Sequence, residues 1–186
     1  MLDALLKKPF GGAVDAVASK VAQGGFGANK LTLSALVIGL IGCFAVAMGQ
    51  FALGLILLLI NRLAVALAAS VAREDGITAR GSYLELLGDG IVFGGFVFFF
   101  ALAAPQHLMA AGFVLFSYMI LAASFLGLRL FGQDDAPPSL VGRTEITIFM
   151  ALGCLFPAAF SAIALFFGLF VWAGIAFHVK TAIRDL

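Results

Sequence analysis

The chain has 186 residues, 63% of them hydrophobic and only 11% charged, with a formal net charge of +1 and a mean hydropathy of +1.14. Soluble domains carry about 25% charged residues, so lipid rather than water is the expected solvent for this chain's 20 Phe and its aliphatic side chains. The near-neutral balance excludes the basic field that binds nucleic acid, and the length suits one membrane domain with no separate soluble one.

Residues 1–28 read as an amphipathic juxtamembrane helix followed by a Gly-rich joint. Leu2, Leu5, Leu6, Phe10, Val14, Val17 and Val21 recur at three- or four-residue steps, with Lys7, Lys8, Asp15 and Lys20 between them. That pattern suits a helix lying in the cytoplasmic interface, interrupted near Pro9 and Gly11-Gly12, with Gly24, Gly25 and Gly27 as the joint. The opening Met1-Leu2-Asp3 lacks the basic-then-apolar layout of a secretory signal.

Residues 29–186 read as a six-helix membrane domain, making the chain an all-α, multi-pass integral membrane protein. A crossing helix needs about 20 apolar residues. Stretches near 31–48, 51–72, 83–104, 107–128, 142–158 and 159–179 approach that length, separated by Gly49-Gln50, Arg73 to Gly76, Pro105-Gln106, Gly132 to Pro138, and Pro157. Six spans put both termini on one side with the loops at 73–82 and 129–141. Those regions, together with Arg143 at the adjoining start of the fifth span, hold ten of the eleven Lys and Arg residues, which makes that side cytoplasmic, at the inner membrane in a bacterial cell. Cys43 and Cys154 fall inside apolar runs and read as small core residues rather than a disulfide or a metal site.

Ionisable residues inside the spans are the candidates for chemistry. Glu85 and Asp89 lie four residues apart and share one helical face. Arg62, the eleventh basic residue, lies within the second span beside Asn61, about 16 Å deeper than Arg73 at ~1.5 Å per residue. Asp89 reaches about 10 Å in from the same face, so an ion pair of Arg62 with Asp89 is expected to join the second and third spans. Ala64, Ala66, Ala68, Ala69, Ser70 and Ala72 form a small-residue stretch suited to close packing or to lining a cavity.

Other polar residues carry weaker signals. Glu145 is expected to close the site or pair with Arg143, and Asp75 is marginal in the loop after the second span. His178 reads as an interfacial anchor, His107 as a residue with no partner in reach, and Trp172 as a side chain packed against neighbours or lipid.

A longer pattern spans these residues. Ala72-Arg73 close the second span, Gly81 follows after a seven-residue spacer, and Glu85 and Asp89 come four and eight residues later. Asn29-Lys30-Leu31-Thr32 opens the first span. On these residues the chain resembles the CDP-alcohol phosphotransferase family, integral-membrane enzymes that make phospholipid head groups. The family pattern reads D-x-x-D-G-x-x-A-R, a spacer, then G-x-x-x-D-x-x-x-D, with an N-x-L-T element before the first span. The resemblance implies six helices, a cytoplasmic juxtamembrane helix, a CDP-linked lipid as donor and a homodimer as one arrangement. It also implies two divalent metals held by the four aspartates, the last being the general base.

The aspartates are only partly kept. In this register Asp89 is the fourth and candidate base, Glu85 replaces the third, and Val65 and Ala68 stand at the first two, with Ala69 for the glycine. Asn29, Thr32, Arg73 and Gly81 are candidates for donor or phosphate binding. The literal match Asp75-Gly76-Ile77-Thr78-Ala79-Arg80 leaves no spacer before Gly81 and moves the motif into the loop, so it is rejected. Glu85 and Asp89 suffice for at most one Mg²⁺ or Mn²⁺ ion, because Val65, Ala68 and Ala69 supply no ligand atom from the facing wall. Three readings follow. The first is a catalytically impaired or inactive member of the fold, and the second an active phosphatidyltransferase with a reduced site. The third is a small cation- or proton-coupled transporter or lipid-binding membrane protein.

Overall fold

The computed structural model describes residues 12, 17, 18, 20, 27–130 and 140–185, so nearly all of the expected amphipathic segment lies outside the described residues. Among the described residues from 27 onward there are six α-helices: α1 Ala28–Ala47, α2 Phe51–Asp75, α3 Ala79–Ala103, α4 Leu108–Leu130, α5 Arg143–Leu155 and α6 Phe160–Asp185. Short 3₁₀ turns, Pro105–His107 and Pro157–Ala159, lead into α4 and α6. The helices end where backbone chemistry requires it. Gly49 (φ 73°) and Gly76 (φ 98°) take positive φ in the α1–α2 and α2–α3 connections, a region costly for a side chain with a Cβ.

Several boundaries differ from the expectation: α1 starts at Ala28, α2 runs to Asp75, α6 runs to Asp185, and two further differences have a local cause. The third helix begins at Ala79 rather than near 83, because the Thr78 hydroxyl accepts a hydrogen bond from Gly81 N at 3.1 Å and caps the helix early. The expected span over 142–158 is a 13-residue helix, about 20 Å long at ~1.5 Å per residue, ended by Phe156 and the Pro157 turn. Among the described residues, five helices are long and apolar enough to cross a membrane, and α5 is the one that is too short. The chain is thus a multi-pass integral membrane protein with five candidate spans.

Inside a bilayer, helices gain little by hiding apolar surface from lipid that is equally apolar, so close packing has to hold them together. The α1–α2 crossing uses glycine for this: a Cβ on Gly54 would come within 2.6 Å of Val46 Cγ2, and one on Gly42 within 3.2 Å of Leu57 Cβ. Gly39 plays the same part between α1 and α3, since a Cβ there would sit 2.5 Å from Val92 Cγ2. Elsewhere the filling is aromatic. Phe100 of α3 stacks on Phe160 with ring centroids 4.1 Å apart, and Phe149 of α5 stacks on Phe167 of α6 at 4.4 Å. Each such pair contributes ~0.5–1.5 kcal/mol beyond simple burial. This aromatic core fixes α5 against α3 and α6, and thereby fixes where the first residue of α5, Arg143, can reach.

Candidate functional site

The polar centre is built by three helices. On α2, Asn61 is 1% exposed, and its amide Nδ2 donates to Ala35 O of α1 at 2.7 Å. Its Oδ1 accepts from the neighbouring Arg62 Nε at 2.8 Å, which directs that guanidinium toward α3. There Arg62 Nη1 donates to Asp89 Oδ1 at 3.0 Å, with the two side chains 16% and 15% exposed. Asn61 thus satisfies a helix carbonyl and orients a cation, which suits a residue that is costly to bury without partners.

The third contributor is Arg143, from the start of α5. Its Nε lies 2.8 Å from the second Asp89 oxygen, Oδ2, and its Nη1 donates to Glu85 Oε1. The Arg143 side chain is 50% exposed and Glu85 27% exposed, so this end of the cluster opens to solvent. Two guanidinium groups face two carboxylates, and both oxygens of Asp89 are engaged by charged donors. Such charge-assisted contacts are about twice as strong as neutral hydrogen bonds.

Beside the cluster lies a cleft of about 570 Å³. Asn29 and Thr32 of α1, Ala68, Ala69 and Arg73 of α2, and Gly81 and Glu85 of α3 all border it, as does Lys30. A Cβ on Gly81 would sit 3.2 Å from Asn29 Oδ1, so the glycine lets α3 approach α1 closely at this point. Thr32 Oγ1 donates back to Ala28 O at 3.1 Å. Arg62, Val65 and Ala69 fall on one stripe of α2 by helical period, so the Arg62 face of α2 carries small apolar residues toward the cleft.

Several sequence expectations need correction. Arg143 reaches Glu85 and Asp89, contacts the sequence did not suggest, while Glu145, expected to close the site or pair with Arg143, is 9% exposed and accepts from Gly142 N at 2.9 Å at the N-terminus of α5. His107 was expected to lack a partner, yet it is 5% exposed with Nδ1 2.7 Å from Ser161 Oγ, because the 3₁₀ turn folds it back onto α6. His178 is not an interfacial anchor. It is 1% exposed, with Nδ1 3.3 Å from Ser124 Oγ and its ring against Phe125. Trp172 is 39% exposed near Phe116, and Cys43 and Cys154 are buried free thiols, as expected. The Asp75 side chain is outside the described positions, although α2 runs to Asp75 before breaking at Gly76.

No family model matches the chain. Solved structures do match its fold. The phosphatidylinositol phosphate synthase of Mycobacterium tuberculosis, crystallised with CDP-DAG bound, aligns with a TM-score of 0.74 over 91% of this chain and 92% of that one, at 16% identity. The same enzyme in complex with manganese and citrate aligns at 0.76 over 91% and 88%, at 18% identity. The fold and the cleft together define a multi-pass membrane protein with the CDP-alcohol phosphotransferase fold. In sequence, the chain is 32% identical over 158 residues to inner membrane protein YnjF of Escherichia coli (strain K12), covering 77% of each chain. The chain belongs to the CDP-alcohol phosphotransferase family.

Proposed function

We propose that this chain keeps the family's pocket for a CDP-linked lipid but has lost ordinary head-group transfer. The observation that carries the reading is the chemistry of the two walls. The α3 wall holds Glu85 and Asp89, already engaged by two arginines, while the facing α2 positions are Val65, Ala68 and Ala69, which offer no ligand atom.

Phosphoryl transfer through a two-metal centre needs oxygens on both sides to clamp the attacking and leaving groups. Among the described residues, no three of His, Cys, Asp and Glu come together as a metal-binding group. With Val65, Ala68 and Ala69 on α2, the two described walls offer carboxylates from α3 alone, a donor set that does not fit a two-metal centre. General-base chemistry at Asp89 is impeded as well, since an acceptor hydroxyl must compete with Arg62 and Arg143 for its oxygens. The same pairing weighs against a proton- or cation-coupled transporter.

Donor binding has different requirements. A cleft of about 570 Å³ is the usual size for a small-ligand site, and Lys30 and Arg73 put positive charge on its border where a diphosphate would lie. Asn29, Thr32 and Gly81 add polar groups and a close backbone approach.

The test is to titrate purified protein in detergent with CDP and with CDP-diacylglycerol, and to assay transfer to alcohol acceptors in the same preparation. Saturable binding without transfer is expected, and Arg73→Ala should weaken it. Transfer that depends on Mg²⁺ or Mn²⁺ would show that a working centre survives. Absent binding by the folded protein would remove the pocket from the account.

A further inference from the structure

Glu85 and Asp89 are a carboxylate pair at i and i+4 on one face of α3, a spacing that brings side chains within reach of a common partner. Among the described residues, one cation touches both of them. Arg143 spans the pair with its planar fork, Nη1 on Glu85 Oε1 and Nε on Asp89 Oδ2. We propose that Arg143 is an internal cation in the bridging position of this site, which is therefore charge-balanced without a hard divalent metal and accepts one only when the arginine is removed. The inference rests on reading Glu85 and Asp89 as the family's metal-carboxylate positions.

The two arginines are not equivalent. Arg62 is held by Asn61, is 16% exposed and reaches only Asp89 Oδ1, so it is a fixed counter-charge within α2 and α3. Arg143 comes from another helix, is 50% exposed and covers the solvent side of the pair. A guanidinium stays charged at any physiological pH, so the cover is permanent in the wild-type chain. With both arginines the cluster has two positive and two negative charges. Without Arg143 it keeps one carboxylate with no guanidinium on it, at the end of the cluster that opens to solvent, where a dissolved cation can reach it. Mg²⁺ and Mn²⁺ are suited to that place, since such ions are held by one or two carboxylates with water completing the shell. The metal dependence is latent rather than erased: the carboxylates remain, and a side chain stands where the ion would bridge them.

The experiment is a Mn²⁺ titration of the full chain in detergent without nucleotide, followed by the electron paramagnetic resonance signal of free Mn²⁺ and by thermal unfolding. The wild-type protein should show no saturable site. Arg143→Gln should gain a single site, with affinity raised by about tenfold or more and a Mn²⁺-dependent rise in Tm that wild type lacks. Adding Glu85→Gln to that variant should abolish the gain. Saturable binding by wild type overturns the proposal, as does a folded Arg143→Gln protein with no gain. Should that variant fail to fold, Arg143→Lys keeps the charge but not the fork that spans both carboxylates. It should then bind Mn²⁺ more tightly than wild type, and no difference between them overturns the bridging role. CDP-diacylglycerol binding, measured on the same samples, separates the two readings. Donor binding without any Mn²⁺ gain sinks this proposal alone, whereas a Mn²⁺ gain without donor binding sinks the pocket alone.

Discussion

The two walls of the polar centre were assembled by different rules. On α3, Glu85 and Asp89 stand in the family's spacing and meet guanidinium groups from α2 and α5. On α2, the face that should answer them carries Val65 and Ala69 beside Arg62, with Ala68 buried at 4% exposure. Carboxylates within a membrane-spanning helix have to be offset, and here the offset comes from arginine side chains on neighbouring helices. The difference teaches that carboxylates facing a wall without ligand atoms are neutralised from elsewhere, and here the cations that neutralise them also tie helices together.

The strongest way to break this comparison is to restore the missing wall. Val65→Asp with Ala68→Asp in an Arg143→Gln background should create metal binding that involves both helices, with head-group transfer rising above that of the unmodified chain; a Mn²⁺ titration and a radiolabelled transfer assay check it. Metal binding equal to that of Arg143→Gln alone would mean that α2 does not face the site in this register. Next in size, Asp89→Asn removes the shared partner of both arginines and leaves the half-buried Arg62 without counter-charge. It should cost ~3–5 kcal/mol of stability, read as a lowered Tm in detergent.

Gly39→Leu probes the packing that brings Asn61 to its place, since a Cβ there would already lie 3.0 Å from Asn61 Nδ2 and 2.5 Å from Val92. Overpacking of this kind should cost ~1–3 kcal/mol, and an unchanged Tm would mean that α1 shifts freely. The smallest effect is expected from Glu85→Gln, at ~0–1 kcal/mol, because Glu85 and Arg143 are 27% and 50% exposed and water screens them. Salt should narrow even that difference, while leaving the Asp89→Asn loss largely in place.

Much of the fold was legible from the sequence because a bilayer imposes length and polarity on whatever crosses it. Apolar runs marked the helices, and Gly49, Gly76 and Pro157 marked breaks between them. The fifth run was the exception, since hydropathy does not report that Phe156 and Pro157 stop α5 after 13 residues. Helix rise alone brought Arg62 and Asp89 to a compatible depth, and the structure has them in contact at 3.0 Å. Asn29, Thr32, Arg73 and Gly81 were marked by the family pattern, and all four border one cleft.

What the sequence determined by itself was therefore what the solvent and the helical period dictate: membrane residence, the apolar runs that became helices, the shared face of Glu85 and Asp89, and the apolar residues at 65, 68 and 69. What only the tertiary structure decided was which side chains meet across helices. Arg143 lies 58 residues from Glu85, with a sequence neighbour, Glu145, as the nearer apparent partner. His107 and Ser161 are 54 apart, as are Ser124 and His178. Pairing at such distances depends on the rotation and offset of one helix against another. Those are set by how Phe149 seats on Phe167 and how Phe100 seats on Phe160, and no periodicity within a single helix contains that information.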